Sequence, residues 1–375
     1  MGDLVLLAAG GTGGHLFPAE ALAAALHAHD IDVDLATDAR AARYAGHFPA
    51  RELHVLPADT VRGRSPVALA RTGLALASGL VSGLALMRRL KPKVVVGFGG
   101  YPTVPPLLAA SLSGVPTVIH EANGVMGRAN RMLAGRVSAI ATGFPDLCKA
   151  DPALAAKAVW TGNPLRPAAV AAAAIPFDPP QPGGPLRLLV FGGSQGARVM
   201  SDVVPDAIRL LPPSLLPRLS LVQQAREEDL GRVKAAYAAL GVAAEVAPFF
   251  ADLPVRMAAA HLVIARSGAG TVAELAAIGR PAILVPLPHA LDQDQAANAR
   301  ALSDIDAARV LRQVEFDPAR LAAELETFAG APSQLTQMAG RARSAGTLDA
   351  ASRLCDLVRH LVAGGTVKTF QGKPA

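Results

Sequence analysis

The chain has 375 residues, which is too long for one average domain and predicts two. Apolar residues make up 51% of the chain, which provides ample core material and excludes a largely disordered protein. The formal net charge of +6 indicates an anionic partner, such as a phosphorylated substrate or a phospholipid. The same charge suits nucleic acid, but aromatic residues make up only 4%, which argues against single-stranded nucleic acid because its binding usually needs stacking platforms.

The two cysteines, Cys148 and Cys355, have neither CxxC nor zinc-ligand spacing. This usage is typical of a reducing compartment without a disulfide framework. The chain begins with a strand-like run and lacks the basic region that precedes the apolar part of a signal peptide. We therefore expect neither a secretory signal nor a structural metal.

The first apolar run, Leu4 to Ala9, leads into a glycine loop, Gly10 to His15. A helical pattern follows from Ala19 to Leu26. Glycines at this point let backbone N–H groups approach a phosphate at a helix start, where the dipole favours negative charge. The same glycines could equally form a tight turn without a ligand.

The stretch from Thr60 to His120 contains no acidic residue, and its basic residues flank sixteen uncharged ones, Thr72 to Met87. That segment is short for a membrane span, which needs about 20 apolar residues. Two interpretations stay open. The helix either packs in the core with a solvated basic end, or it also offers an apolar surface to anionic lipid.

A strand, Val94 to Phe98, is followed by a glycine turn, a helix and another strand, Thr117 to His120. The run Leu186 to Phe191 with Gly192 to Ala197 likewise repeats the opening strand and loop. These repeats predict two Rossmann-type domains of similar plan. The Pro-, Gly- and Ala-rich stretch from Pro164 to Pro185 separates them.

The second half is organised around a βαβ unit, Leu262 to Pro288. Its first strand ends in the loop Arg266 to Thr271, and the helix that follows carries Glu274. In such folds, ligands bind at the carboxyl ends of the strands. Further helices are predicted at Pro318 to Phe328, Ser333 to Ala345 and Asp349 to Val362, and we expect disorder from Gly364 onward.

Two glycine loops, one per domain, imply two anionic ligands or one ligand held between domains. This favours a transferase of nucleotide-activated groups. A dinucleotide oxidoreductase is disfavoured because Leu16 replaces the third glycine of the Gly-x-Gly-x-x-Gly motif. Asp292-x-Asp294 could hold a divalent ion, but a solvated helix start explains it better, so we predict no metal.

Four side chains are candidates for chemistry, and each has an alternative. His15, at a helix start, could act as a general base, or it could only cap the helix or bind a phosphate. Glu274 could accept hydrogen bonds from ribose hydroxyls, or it could only complement the helix dipole. Arg166 and Arg266 could bind a diphosphate, or they could form surface ion pairs.

With these residues identified, the chain closely resembles the MurG family of N-acetylglucosaminyltransferases. The resemblance rests on an ordered set of motifs that spans almost the full chain: Gly10-Gly-Thr-Gly-Gly-His-Leu-Phe-Pro18, Gly97-Phe-Gly-Gly-Tyr101, His120-Glu-Ala-Asn123, Gly162-Asn-Pro-Leu-Arg166, Gly192-Gly-Ser-Gln-Gly-Ala-Arg198, Arg266-Ser-Gly-Ala-Gly-Thr-Val-Ala-Glu274 and the run to Gln295 and Asn298. An ordered set of this kind is far more specific than any one loop.

The resemblance implies an α/β GT-B fold, in which two Rossmann-like domains with parallel sheets face each other across a cleft. Residues 1–163 with the C-terminal helix 347–363 would form the acceptor and membrane-associating domain, and residues 164–346 the donor domain. The implied reaction transfers GlcNAc from UDP-GlcNAc, with inversion, to the C4 hydroxyl of lipid-linked muramyl-pentapeptide, lipid I, and yields lipid II. The enzyme would act at the cytoplasmic face of the inner membrane and would require no cofactor.

The resemblance also implies roles for individual residues. The Phe250 backbone would bind uracil, and Glu274 would bind the ribose. Ser194 and Arg166 would serve the diphosphate, and Gln295 with Asn123 the sugar. The loop residues Arg266, Ala269, Gly270 and Thr271 would complete the donor site. The acceptor diphosphate would meet a substrate loop made of Thr12, Gly13, Gly14, His15 and Tyr101.

Three departures from the family pattern affect these assignments. Ala122 stands where many relatives have Gln, and Asp294 where some have a second Gln, so this chain lacks the side-chain amide that those relatives offer to the donor sugar at each position. Phe250 replaces a frequent Ile, which is harmless if only its backbone is used. Two rival functions fit the same features, a UDP-GlcNAc 2-epimerase-like enzyme and a non-catalytic lipid-binding protein.

Overall fold

The computed structural model describes residues 2–10, 13–39, 48–57, 66–193, 196–288 and 293–371, without the side chains of residues 66–73 and 75. The chain forms two compact units. Unit 1 comprises Met1–Arg166 together with Leu348–Ala375, and unit 2 comprises Pro167–Thr347. Each unit is built on one parallel sheet with helices on its faces.

Unit 1 contains a seven-stranded sheet in the order β3-β2-β1-β4-β5-β6-β7, and every pairing is parallel. Its central strands are apolar runs buried on both faces, as expected where helices cover both sides of a sheet. The strands are β1 Leu4–Ala8, β2 Asp32–Thr37, β3 Leu53–Val55, β4 Val94–Gly97, β5 Thr117–Glu121, β6 Ala139–Thr142 and β7 Ala158–Trp160.

Among the described residues of unit 1, five α-helices precede the linker to unit 2. They are α1 Gly13–His27, α2 Pro66–Leu90, α3 Val104–Leu112, α4 Arg128–Ala134 and α5 Pro152–Ala155. Helices α2, α3 and α4 pack in sequence against one face of the sheet, in a cluster that includes Leu86, Leu107 and Leu133. Helix α1 covers the other face through residues such as Leu22 and Leu26.

Helix α2 has two contrasting sides. Gly79 and Gly83 let it approach α3 closely, since a Cβ atom at Gly83 would lie 3.0 Å from the Cβ of Ala109. On the opposite side Leu74 is 73% exposed and Val81 68% exposed. Of the two interpretations left open by the sequence, core packing holds for one side, and the other side leaves an apolar surface uncovered. Across the described ranges, no helix is both long and apolar enough to cross a membrane.

Unit 2 contains a six-stranded parallel sheet in the order β10-β9-β8-β11-β12-β13. The strands are β8 Leu186–Phe191, β9 Leu219–Gln224, β10 Ala243–Ala247, β11 Leu262–Ala265, β12 Ala282–Leu284 and β13 Ala308–Val310. The helices are α6 Pro167–Ala172, α7 Arg198–Arg209, α8 Glu227–Ala239, α9 Leu253–Ala259, α10 Ala269–Ile278, α11 Asp294–Ser303, α12 Pro318–Gly330 and α13 Pro332–Ser344.

The last helix, α14 Ala350–Val362, belongs to unit 1, where it packs against α1. Its apolar side, which includes Leu354, Leu357 and Leu361, joins the same core as Leu22. The predicted disorder from Gly364 onward is wrong for residues 364–371. A short 3-10 helix, Val367–Thr369, is closed by a capping box, and burial of the Val367 side chain fixes it to the core.

Candidate active site

In unit 1 the order of strands reverses between β1 and β4, which is the point where open α/β sheets bind ligands. Both strands end in glycine-rich turns. Gly10 follows β1, and Gly99 and Gly100 follow β4. Gly11 and Thr12 of the predicted substrate loop lie outside the described residues. The turns bring His15 and Tyr101 to the carboxyl edge of this sheet, and their predicted contact with the acceptor stays a prediction.

His15 lies in the first turn of α1, and its ring is held by a backbone group. Its Nδ1 donates a hydrogen bond to the carbonyl oxygen of Gly10 over 2.9 Å. A carbonyl oxygen can only accept, so the neutral ring carries its proton on Nδ1. This fixed tautomer leaves a lone pair on Nε2, which is what a general base requires.

The ring of His15 rests on the Gly99–Gly100 turn. Both glycines have positive φ angles, 91° and 78°. A Cβ atom on Gly99 would lie 3.4 Å from the His15 Nε2, and one on Gly100 would lie 3.5 Å from its Cε1. The paired glycines therefore allow a left-handed turn and a close approach to the imidazole at the same time.

Electrostatics favour a neutral His15. Burial lowers the pKa of the imidazole, while the Gly10 carbonyl and the nearby Glu121 carboxylate oppose that shift. The ring of His120 is also buried, and desolvation lowers its pKa to about 4. His120 donates from Nε2 to the Gly162 carbonyl oxygen over 3.2 Å. Both imidazoles are therefore uncharged near neutral pH.

Glu121, at the end of β5, organises the loop that follows it. Its Oε1 accepts from the backbone N and the Nδ2 of Asn123, at 3.0 and 3.2 Å. Its Oε2 accepts from the Gly127 N at 2.9 Å and from the Asn130 Nδ2 at 2.8 Å. Sequence reasoning did not single out this carboxylate. An acid directly after a buried strand was the signal that could have found it. Through these bonds Glu121 fixes the backbone and amide of Asn123, the predicted sugar contact.

Arg166 lies at the end of unit 1, where its guanidinium stacks 4.7 Å from the ring centroid of Phe17. Phe17 is on α1, two residues after His15, and its ring is 41% exposed. The structure therefore places Arg166 near the start of α1. Its predicted contact with a diphosphate stays a prediction.

In unit 2 the order of strands reverses between β8 and β11, and both strands again end in glycine loops. The loop after β8 contains Gly192 and Gly193. The predicted diphosphate residue Ser194 lies outside the described residues. The loop after β11, Arg266 to Gly268, leads into α10, whose N-cap is Gly268. The first amides of a helix have no acceptor within the helix, so those of Ala269, Gly270 and Thr271 are suited to an anion.

Glu274 lies one turn into α10 and is 8% exposed. Phe250 follows β10, and its ring is covered by the guanidinium of Arg256 at 4.4 Å. Arg256 is itself held by Glu245 at 2.6 Å and by Asp252 at 2.7 Å. The ring of Phe250 is therefore held by a protein contact, and recognition of uracil by its backbone stays a prediction.

Arg266 is buried, so its predicted alternative, a surface ion pair, is wrong. Its Nη1 donates to the carbonyl oxygens of Val285 and Pro286, at 3.0 and 3.1 Å. Its Nη2 donates to Gln313. Burial lowers the pKa of this guanidinium. In this arrangement Arg266 fixes the loop after β12, and a direct contact with a diphosphate stays a prediction.

The start of α11 is bonded to the loop that precedes α10. Ser267 donates from Oγ to the Gln295 carbonyl oxygen over 2.8 Å, and Asn298 donates from Nδ2 to the Ser267 carbonyl oxygen over 3.1 Å. The side chain of Gln295 accepts from the Leu287 N at 3.0 Å. These bonds place the predicted sugar contact Gln295 beside the loop that begins α10.

Two sets of carboxylates bear on metal binding within the described residues. Asp292 lies outside them, and Asp294 accepts a hydrogen bond from the Gln295 N at the start of α11. One cluster has metal-ligand spacing, Asp34 with Glu52 and His54. The Asp34 carboxylate there already accepts from Arg51 at 3.0 and 3.2 Å and from His54 at 2.9 Å. The Arg51 guanidinium therefore already balances the charge of the Asp34 carboxylate.

Two Rossmann-like parallel-sheet units, each with glycine loops where its strand order reverses, form the architecture of GT-B glycosyltransferases. The glycosyltransferase family 28 N-terminal domain matches residues 5–142, and the glycosyltransferase family 28 C-terminal domain matches residues 187–354. A structure described as Acinetobacter baumannii MurG is 30% identical, covers 96% of this chain and 99% of its own, and has a TM-score of 0.78.

The chain is also similar to proteins named UDP-N-acetylglucosamine–N-acetylmuramyl-(pentapeptide) pyrophosphoryl-undecaprenol N-acetylglucosamine transferase. The protein of Rhodopseudomonas palustris strain BisA53 is 61% identical and covers 98% of both chains. That of Nitrobacter hamburgensis is 61% identical, covering 95% of this chain and 96% of its own. The chain therefore belongs to the MurG family of glycosyltransferases.

Structures of more distant proteins share the fold alone. A UDP-GlcNAc 2-epimerase from Neisseria meningitidis has a TM-score of 0.66 at 13% identity, and it covers 96% of this chain and 100% of its own. The rival epimerase function therefore shares the architecture of this chain, whereas the family-level similarity lies with the transferases.

Proposed function

We propose that the chain transfers N-acetylglucosamine from UDP-N-acetylglucosamine to the C4 hydroxyl of the muramyl sugar in lipid I, with inversion, and so forms lipid II. The observation that carries this proposal is the 61% identity, over 98% of both chains, to a relative named for that transfer. The fixed tautomer of His15 supports it, since the acceptor hydroxyl needs a base.

In the proposed reaction, unit 1 activates the acceptor. The C4 hydroxyl gives its proton to the His15 Nε2 as its oxygen forms a bond to the anomeric carbon of the donor sugar. The bond from that carbon to the diphosphate oxygen breaks on the opposite face, and the electron pair leaves with UDP. The imidazole becomes cationic in this step, and the nearby Glu121 carboxylate stabilises that charge.

Unit 2 binds the donor in this proposal. The Glu274 carboxylate accepts hydrogen bonds from the ribose hydroxyls, and the Phe250 backbone recognises uracil. The starts of α7 and α10 present amides and positive dipole ends to the diphosphate, and these favour the charge that develops on the leaving group. Arg166, Asn123 and Gln295 are assigned to the diphosphate and the sugar as the family pattern implies.

One assay tests the proposal against both rival functions. UDP release from UDP-N-acetylglucosamine is measured with and without a lipid I analogue. A transferase releases UDP rapidly only with the acceptor. Release without acceptor, together with free sugar or epimer, would support an epimerase-like enzyme, and no release in either case would support a non-catalytic lipid-binding protein.

We further propose that the enzyme associates peripherally with anionic lipid at the cytoplasmic face of the inner membrane, through the basic and apolar region 60–93, of which residues 60–65 lie outside the described residues. The exposed side of α2 carries Leu74 and Val81, and its last turn carries Arg88 and Arg89. Leu112 at the end of α3 is 69% exposed and Met132 on α4 is 48% exposed. Apolar side chains beside basic ones are typical of surfaces that lie in a membrane interface.

Sedimentation with anionic vesicles tests this surface. The double variant Leu74→Glu with Val81→Glu should remain in the supernatant, while transfer to a soluble acceptor analogue persists. A matched control is Leu210→Glu with Val314→Glu in unit 2, where both residues are also exposed, at 55% and 83%. If the α2 variant sediments like the control, the membrane surface lies elsewhere.

A further inference from the structure

The last two residues of β9, Gln223 and Gln224, are both buried, and their side chains lie on opposite faces of the sheet. Gln223 lies inside the core, where it accepts from the Tyr237 hydroxyl and donates to the Met200 carbonyl oxygen. Among the described residues, the Gln224 side chain forms hydrogen bonds only with loops at the carboxyl edge of the sheet. One glutamine is thus a core contact, and the other a loop contact.

The side-chain amide of Gln224 joins two loops that flank its strand. The backbone N of Gly192 donates to Oε1 over 3.0 Å, and Nε2 donates to the Pro248 carbonyl oxygen over 3.1 Å. Gly192 follows β8 and Pro248 follows β10, and β9 lies between these two strands in the sheet. A single 6% exposed side chain therefore spans the ends of three neighbouring strands.

Both loops belong to the proposed donor site. Gly192 begins the glycine loop that leads into α7, and a Cβ atom there would lie 2.2 Å from the Ala197 N, so Gly192 lies directly against the residue that precedes α7. Pro248 leads directly to Phe250, whose backbone is assigned to uracil. One loop thus serves the diphosphate and the other serves the base.

The two hydrogen bonds of the Gln224 side chain require an amide group. Gly192 offers a donor and Pro248 an acceptor, so the connecting group must accept at one end and donate at the other. A methionine side chain has nearly the same shape as glutamine and makes neither bond. A glutamate accepts from Gly192 but, when ionised, cannot donate to Pro248, and it places a negative charge beside the diphosphate loop.

We propose that Gln224 is a positioning residue that sets the spacing between the diphosphate and nucleobase subsites of unit 2. It does so by holding the Gly192 turn and the Pro248–Phe250 loop at a fixed separation. The inference rests on the proposed function, since it takes UDP as the group that both subsites bind. Gln224 itself touches neither the base nor the phosphates in this proposal.

The test compares Gln224→Met with Gln223→Met in the full chain, using calorimetry with UDP and the KM for UDP-N-acetylglucosamine. Loss of two hydrogen bonds at Gln224 should weaken UDP binding roughly tenfold and raise the donor KM with little change in kcat. Gln223→Met should lower the melting temperature and leave UDP affinity within about twofold, because its bonds lie in the core.

A second variant, Gln224→Glu, separates positioning from packing. Its carboxyl group, when protonated at low pH, can accept from Gly192 and donate to Pro248, as the glutamine does. Its UDP affinity should therefore approach that of the wild-type chain as the pH falls toward about 5, since burial raises a carboxyl pKa above about 4.3. Gln224→Met should show no such recovery.

Unchanged UDP affinity in Gln224→Met would overturn the inference, and so would equal losses of affinity in Gln223→Met and Gln224→Met. Failure of the proposed function looks different. In that case the wild-type chain would bind UDP but transfer no sugar to a lipid I analogue, and the effect of Gln224→Met on UDP binding would persist.

Discussion

The glycine turns of unit 1 and those of unit 2 follow equivalent strands but are used differently. In unit 1, Gly99 and Gly100 make room for the His15 ring, whose Nε2 lone pair is left available. In unit 2, the side chains of Arg266, Ser267 and Gln295 are engaged by neighbouring loops, and the helix-start amides after Gly268 remain for a ligand. The turn in unit 1 therefore leaves a side chain, His15, for a ligand. The loop in unit 2 leaves backbone amides, and its own side chains hold it in place.

The largest effect expected from this contrast is at His15. His15→Ala removes the proposed base, so kcat should fall by about 10²- to 10⁴-fold. UDP affinity should change by less than about twofold, because the donor binds unit 2 in this proposal. Steady-state kinetics and calorimetry with UDP measure the two quantities. His29→Ala, an exposed histidine two residues beyond α1, is the control, and near-normal turnover in His15→Ala would remove the base assignment.

The next largest effect is expected at Glu274, in unit 2. Glu274→Ala should weaken UDP binding by about ten- to a hundredfold, because hydrogen bonds to a charged group contribute about 1.5–3 kcal/mol. Calorimetry with UDP and with 2′-deoxy-UDP should then give similar affinities for the variant but different ones for the wild-type chain. The ribose assignment fails if the variant still distinguishes the two nucleotides.

Gly99→Ala should give a smaller effect on turnover. The substitution strains a backbone with φ of 91° and places a methyl group 3.4 Å from the His15 ring. We expect kcat to fall about tenfold, for a displacement that costs about 1–3 kcal/mol. Gly114→Ala is a matched control, since φ there is 72° and the added Cβ would meet no atom within 4 Å. If both variants have the same kcat, the turn does not position the histidine.

The smallest effect is a shift in pH dependence. A base must be unprotonated, and burial lowers the pKa of His15 below its ordinary value of 6.5. The acidic limb of kcat/KM should therefore lie below pH 6.5, with activity lost as the pH falls through the lowered pKa. Glu121→Gln removes a carboxylate that raises this pKa, so the limb should move to still lower pH. A shift in the other direction would contradict this account of the electrostatics.

Much of the fold could be predicted because its signals are local. The apolar runs at Leu4, Val94, Leu186 and Leu262 became the four central strands. The helices predicted at Ser333 and Asp349 each lie within one residue of the observed bounds at their starts. The short strands β6 and β7 had no comparable pattern, and the tail beyond Gly364 looked disordered because burial of Val367 depends on a core formed by distant residues.

The candidate site was predictable only in part. Glycine loops and motif order predicted His15 and Glu274 as site residues, because each lies in a helix that follows a glycine-containing loop. The roles of Glu121, Gln224 and buried Arg266 depend on hydrogen bonds between residues far apart in sequence, and Gln224 alone links segments 24 and 32 residues away. Residue type and spacing in the sequence do not identify such hydrogen-bond partners.

The position of α14 bears on how the chain is made. Unit 1 takes its first 166 residues from one end of the sequence and Leu348–Ala375 from the other, and unit 2 is inserted between them. Domains usually fold as they leave the ribosome, those nearest the amino terminus first. The apolar surface of α1 that α14 covers stays exposed until unit 2 has been synthesised, so we infer that unit 2 finishes folding first and that unit 1 is completed last.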